Sequence, residues 1–204
     1  MKLYDAPFPG TRASRVRWLL EELGAHYETE VINPRLGEHK RASYLSVNPH
    51  GVLPTLEIAG QHMIESAAIA LQLADIAPEA GLAPPLGSPE RAAYYQWIVY
   101  APATLDDPMV KRIFHTVFLP EGKRDPAIVA AADRVWAVAA PFLSQNLEGR
   151  DWLLGERFSA ADVVIGYDLH LAQGQGLLGE HPVLAAYMAR LAARPAYQRT
   201  FHPS

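Results

Sequence analysis

The sequence predicts an α/β unit followed by an all-α unit, and three observations carry that reading. Short β-like runs alternate with helical periods over residues 1–77. Breakers crowd residues 78–89, where Pro78, Gly81, Pro84, Pro85, Gly87 and Pro89 fall together. Beyond them only helical periods recur. We therefore expect one domain over residues 1–77, a linker at 78–89 and a helical domain over 90–204.

Lys2, Leu3 and Tyr4 begin a strand, which Ala6-Pro7-Phe8-Pro9-Gly10 turns. Val16, Leu19, Leu20 and Leu23 then recur at i, i+3, i+4 and i+7, with Arg15, Arg17, Glu21 and Glu22 mostly on other faces. That spacing, stopped by Gly24, predicts an amphipathic helix over 12–23. Residues 27–32 alternate as a strand does, and residues 42–47 read as a short helix ended by Asn48-Pro49-His50-Gly51. Residues 55–59 and 62–64 form a strand pair linked by Gly60-Gln61. Glu65-Ser66 opens a helix that Ala68, Ile69, Leu71, Leu73 and Ile76 make buried over a wide face. The βαβ crossover demands a parallel pair and the tight hairpin an antiparallel one, so the sheet is mixed.

In the second half, helical periods span 91–105 and 127–147. The latter carries Trp136, Ala139, Ala140, Leu143 and Leu147 on one stripe, and a kink is expected at Pro141. Phe158-Ser159-Ala160-Ala161-Asp162-Val163 marks a helix start, with Ser159 as N-cap, Asp162 reaching back and Phe158 stapled to Val163. His181-Pro182 begins a helix to residue 193, and Pro195 begins a short last one.

Composition narrows the function. Half the residues are hydrophobic and 20% are charged, which is globular rather than disordered. The net charge of -4 is spread evenly, leaving no basic field for nucleic acid. The uncharged run 92–105 contains Pro102 and falls short of roughly 18 apolar residues, so no membrane span is expected. Met1-Lys2-Leu3-Tyr4-Asp5 has no apolar signal region, and a cytoplasmic location is expected. The chain has no cysteine, so any sulfur chemistry must come from a ligand. Its eight histidines show no metal-ligand spacing, and no metal is expected.

Three segments together carry a family resemblance: Arg15-Val16-Arg17-Trp18-Leu19-Leu20-Glu21-Glu22-Leu23-Gly24; Asn48-Pro49-His50-Gly51-Val52-Leu53-Pro54-Thr55-Leu56 followed by Ile64-Glu65-Ser66; and Phe158-Ser159-Ala160-Ala161-Asp162. In their order and spacing the chain resembles the soluble, cytosolic-type glutathione transferases, bacterial-like and with a Ser or Thr at the active site, over essentially its whole length. The resemblance implies a thioredoxin-like N-terminal domain that binds glutathione and a helical domain that shapes the co-substrate pocket. It also implies detoxification by a homodimer that adds the glutathione thiolate to a small hydrophobic electrophile.

The resemblance implies a cis bond before Pro54, which would turn the Leu53 N–H and C=O outward to pair with the cysteinyl unit of glutathione. Glu65 and Ser66 sit at a strand-to-helix junction, where free N–H groups and the helix dipole favour a carboxylate. By resemblance Ser66 holds the γ-glutamyl carboxylate and Glu65 the α-ammonium; from the residues alone the pair reads first as a helix cap, and the resemblance reverses that order. His39 and Lys40 lie in the segment that meets the glycine carboxylate in similar proteins, and Lys40 is the candidate. Val52 stands where relatives often carry Lys or Gln, so one polar contact is missing. The activating hydroxyl is Thr11 or Ser14, one turn deeper, and Arg12 is within reach of the thiolate. Thr11 is expected to serve as N-cap acceptor and sulfur donor together, whereas Tyr4 lies inside the first strand. In the helical domain Tyr100 and His115 are singled out as pocket walls.

The hydroxyl has limited work to do. A free thiol of pKa about 8.5 is roughly 3% ionised at pH 7, and lowering it by about two units raises that near 25-fold. Nucleophilicity falls with pKa along a slope of about 0.4–0.5, which takes back roughly eightfold. Most acceleration must therefore come from orienting the electrophile beside the sulfur. Two other readings stay open: peroxide or disulfide reduction, isomerisation or dehalogenation with glutathione, and a non-catalytic binding module on the same fold.

Overall fold

The computed structural model describes residues 1–202. They form two compact units, Met1–Ala83 with the segment from Ala192 onward, and Pro84–Leu191.

The first unit begins with β1 (Lys2–Asp5), α1 (Ala13–Glu22) and β2 (Glu28–Val31). Two 3-10 turns at Pro34–Leu36 and Glu38–Lys40 lead into the single-turn α2 (Ala42–Leu45), followed by β3 (Thr55–Ile58), β4 (Gln61–Met63) and α3 (Ser66–Ile76). The sheet order is β2-β1-β3-β4, parallel between β1 and β2 and antiparallel elsewhere. This is the mixed sheet of a thioredoxin-like domain. The hairpin pairs Ile58 with Gln61, so its turn is Ala59-Gly60, one residue earlier than the sequence predicts. Both turn residues have positive φ, as a two-residue hairpin of matching twist requires.

Leu3, Val16, Leu19, Leu20, Leu56, Ile69 and Leu73 are fully buried in this unit. A smaller cluster of Tyr4, Ile32 and Tyr44, with Val47 and Leu53 against it, lies under the loop before β3. Tyr4 is therefore a packing residue. Ile76, expected on the buried face of α3, is half exposed. At the end of β1 the Asp5 carboxylate accepts from the Ala6 N–H at 2.6 Å and from the Arg17 guanidinium, and burial still pushes its pKa above the ordinary value.

The last helix, α9 (Pro195–Phe201), belongs to this unit, which corrects the expected helical domain of 90–204 at its C-terminal end. Five helices come before this return, in the second unit: α4 (Glu90–Tyr100), α5 (Asp106–Ile113), α6 (Pro126–Leu147), α7 (Ala160–Gly174) and α8 (Pro182–Ala192). The reason for the return is side-chain pairing on α1. The Trp18 ring meets Tyr197 edge-on at 5.0 Å and Phe201 at 5.9 Å. Arg194 donates to both Glu22 oxygens at 2.7 Å, and Arg199 donates to Glu21 at 2.6 Å. None of this is visible to a local reading of the sequence around Pro195.

In the second unit the helix expected over 91–105 ends at Tyr100 and passes into a wider π turn over Ala101–Leu105. Pro102 explains the change, because it cannot donate to the α-helical ladder. The sequence reading missed α5, which follows directly and ends in a second π turn at Phe114–Phe118. α6 runs on through Pro141 as one helix, with the predicted stripe of Trp136, Ala139, Ala140, Leu143 and Leu147 buried. By length and composition α6 would cross a membrane, with mean hydropathy 1.4, although no such segment was expected. Asp133 within it pairs with Arg112 at 2.7 Å, and only one stripe of it is buried.

α7 opens as predicted. Ser159 Oγ accepts from the Ala161 N–H, and Asp162 accepts from the Ser159 N–H at 2.8 Å. The other Asp162 oxygen takes the Leu153 N–H at 2.9 Å and the Tyr187 hydroxyl at 2.6 Å, so one buried carboxylate ties together α7, α8 and the loop before them.

The α1–α9 clasp carries a pH dependence. Partial burial pulls the Glu21 carboxyl up, but hydrogen bonds from Arg199 and Tyr27 outweigh it and hold the pKa below the ordinary 4.5. A depressed acid stabilises the fold above its unfolded pKa and loses that contribution as pH falls through the folded value. Melting temperatures measured from pH 6 to 3 are expected to fall below pH 4.5 more steeply in the wild type than in Glu21→Gln.

Candidate functional site

The candidate residues of the first unit gather at three backbone junctions: the entry to α1, the loop between α2 and β3, and the entry to α3. At the first, Arg12 rather than Thr11 occupies the N-cap position of α1, already in helical conformation and without a side-chain cap. The expected capping role of Thr11 is therefore corrected: with Arg12 wound into the helix, no free N–H of the first turn lies over the threonine hydroxyl. Thr11 contributes its carbonyl instead, which accepts from the Ser14 N–H at 2.9 Å. Its Oγ1 is buried and has no hydrogen-bond partner among the described residues. Ser14 differs. Its Oγ accepts from the Gly10 N–H at 3.1 Å, and the residue is 3% exposed. The turn is held from outside by Phe8, whose ring lies 4.2 Å from the Arg35 guanidinium.

At the second junction the Leu53–Pro54 bond is cis, as the resemblance implies. The carbonyl of Val52 is clamped by two donors, the Tyr44 hydroxyl at 2.7 Å and the Asn48 Nδ2 at 2.8 Å. Tyr44 also bonds Thr55 Oγ1 at 3.0 Å, and the Asn48 side-chain oxygen accepts from the His50 N–H at 3.1 Å. Leu53 itself makes no backbone hydrogen bond to another described residue. Its N–H and C=O stand beside three carbonyls, of His50, Gly51 and Val52, that are held by side-chain donors.

Lys40, the candidate for a ligand carboxylate, serves this loop too. Its Nζ donates to the His50 carbonyl at 3.1 Å and the Gly51 carbonyl at 2.9 Å. The neighbouring His39 has a buried Nδ1 without a partner among the described residues. Gly51 is required by two constraints: its φ is +59°, and a Cβ would sit 2.6 Å from the His39 carbonyl oxygen. Val52 exposes half its side chain and brings no polar group.

At the third junction Glu65 has φ 69° and ψ 101°, a left-handed region that a side chain occupies only when its surroundings impose it. That backbone turn aims the Glu65 carboxylate outward while Ser66 begins α3. The Ser66 hydroxyl, nearly buried, accepts from Arg15 Nη1 at 3.4 Å. The free N–H groups and positive end of α3 beside it are of the kind that favour an anion. Among the described residues, no three His, Asp or Glu side chains come together as metal ligands.

The sequence matches two family models in series: glutathione S-transferase, N-terminal domain, over residues 1–75, and glutathione S-transferase, C-terminal domain, over 105–195. The glutathione S-transferase GstA of Escherichia coli is 28% identical, over 97% of this chain and 96% of its own. A glutathione transferase of Methylococcus capsulatus superposes with a TM-score of 0.83 at 30% identity, over 98% of this chain and 96% of that one. The chain belongs to the glutathione S-transferase family. A sphingomonad glutathione S-transferase solved with glutathione bound is similar as well, at TM-score 0.84, 29% identity, and 98% and 97% coverage. Glutathione transferase activity is therefore the reading that fold, relatives and sequence share.

In the helical unit of this transferase, Tyr100 closes α4 and packs its ring on Trp97 at 5.7 Å and on Phe142 at 5.6 Å. Burial raises its phenol pKa. His115 lies in the second π turn, where its Nδ1 accepts from the Asp125 N–H at 2.9 Å and so steadies the start of α6. Four residues that build the first unit's site escaped the sequence reading: Arg15, Tyr44, Asn48 and Gly51. Only the Asn48–Gly51 turn left a signal, as a breaker cluster before Pro54.

Because Gly51 underpins the loop, Gly51→Ala is expected to cost about 2 kcal/mol or more. A lowered melting temperature and a weakened glutathione isotherm would register it, while Gly10→Ala, which meets no close atom, loses only the positive-φ preference.

Proposed function

We propose that the first unit binds glutathione along its three junctions and ionises its thiol at Thr11, and that the thiolate adds to a small hydrophobic electrophile. The observation that carries the choice of hydroxyl is the buried Thr11 Oγ1 with no partner among the described residues. Both hydroxyls keep a proton for a thiolate, since the Ser14 oxygen only accepts from Gly10; Thr11 is chosen because its hydroxyl has no other bond to satisfy it. Arg12, at the helix start, adds a positive charge to the same turn.

In this reading the Leu53 N–H and C=O pair with the cysteinyl unit across the cis Leu53–Pro54 junction, beside the Val52 carbonyl. Ser66 donates to the γ-glutamyl carboxylate and Glu65 accepts from the α-ammonium. For the glycine carboxylate we assign His39 beside Lys40. The Lys40 ammonium already serves two carbonyls and keeps one N–H, while His39 Nδ1 has none of its capacity used. Recognition of the electrophile falls to aromatic side chains of the helical unit, with Tyr100 and His115 as the first to test. The reading includes a cytoplasmic homodimer with a detoxifying role.

The ultraviolet thiolate band of bound glutathione, followed from pH 5 to 9, tests the hydroxyl. At pH 7 the band is expected in wild type and Ser14→Ala and lost in Thr11→Val, with glutathione still bound by calorimetry. A band lost in Ser14→Ala and kept in Thr11→Val would reverse the assignment. The same titrations should show Glu65→Ala weakening glutathione tenfold or more with the melting temperature held, since its side chain is exposed and outside the core.

A further inference from the structure

We propose that Arg15 is a positioning residue that sets the hydrogen-bond polarity of Ser66, leaving the serine hydroxyl to donate to a ligand carboxylate at the start of α3. This rests on the glutathione reading above and names a residue that acts behind it.

The argument begins from what each group can do. A serine hydroxyl has one proton to donate and can accept in two directions. A guanidinium has five N–H donors, no acceptor, and a proton it does not release. Arg15 Nη1 lies 3.4 Å from Ser66 Oγ, so at that contact the serine oxygen is the acceptor. Its single proton is then available only elsewhere. Ser66 is the first residue of α3, where the helix dipole already favours an anion.

Burial makes the polarity consequential. Arg15 is 0% exposed and Ser66 6% exposed, so water competes weakly for either group. The two residues are 51 positions apart, and the contact joins the first turn of α1 to the first turn of α3. A residue that merely filled space there would leave Ser66 free to rotate its proton inward. A donor-only partner forbids that, and the charge behind the hydroxyl strengthens its O–H as a donor to an anion.

The test separates the carboxylate from the rest of the ligand. Calorimetric affinities are measured for glutathione and for γ-aminobutyryl-cysteinyl-glycine, which lacks only the α-carboxylate. The proteins are wild type, Ser66→Ala, Arg15→Gln, Arg15→Lys and the Ser66→Ala/Arg15→Gln double variant. Wild type is expected to prefer glutathione tenfold or more. Ser66→Ala and Arg15→Gln should each lose fivefold or more of that preference, because a glutamine carbonyl can accept the serine proton and turn it inward. Arg15→Lys, still a donor-only cation, should keep the preference to within threefold, and the double variant should fall no further than Ser66→Ala alone.

A folded Arg15→Gln that keeps the wild-type preference overturns the proposal, as does one that weakens both ligands equally. Should Arg15→Gln not fold, Arg15→Lys decides, and a preference as low as that of Ser66→Ala overturns the proposal. A wild type that binds neither ligand overturns the glutathione reading itself, and a wild type that binds both equally removes the carboxylate from Ser66. Those outcomes are read before any variant is compared.

Discussion

The first turn of α1 is the fixed point of the N-terminal unit. Ala13, Ser14, Arg15 and Val16 are all buried there, which puts a permanent charge out of reach of water. A buried guanidinium must be met by acceptors, and that demand draws in groups distant in sequence. Ser66 comes to it from the start of α3, and the Gly10 N–H comes to the neighbouring Ser14 from the turn after β1. On the far side of α1, Trp18, Glu21 and Glu22 hold α9. The helix that follows the Thr11 turn is thereby gripped on both faces.

The second junction works by a different physical means. No charge is buried in the loop before β3; the Val52 carbonyl is held by two neutral donors, Tyr44 and Asn48, and the outer rim by Lys40. With the Val52, Gly51 and His50 carbonyls taken, the Leu53 N–H and C=O make no backbone hydrogen bond among the described residues. Such a loop offers a ready-made strand edge, and a peptide that adds to it loses little ordering entropy from the protein side. Preorganisation of this kind suits a reaction in which thiol ionisation alone gains only about threefold in rate and orientation must supply the rest.

Much of the fold was legible because its signals are local. The period of α1, the alternation of the strands, the Ser159–Asp162 capping box and the proline before β3 each lie within a few residues of what they specify. The readings that needed correction depend on more distant or subtler facts. Thr11 was expected to cap α1, but Arg12 winds into the helix first. Local reading also could not show that Lys40 donates to two carbonyls ten and eleven residues away. α5 was missed because the period read over 91–105 stops short of it, whereas the chain passes through a π turn at Pro102 and continues as helix.

What the sequence by itself determined is therefore the order of elements, the mixed sheet, the family and the stretches that form the site, all of which follow from periodicity, breakers and short motifs. Only the tertiary structure decided which side chains within those stretches are used up by the protein and which are left for a ligand. Arg15 and Ser66 are 51 residues apart, Arg194 and Glu22 172 apart. Whether a hydroxyl, an ammonium or an imidazole is free depends on the partner that folding brings within about 3 Å of it, and no window along the chain contains both.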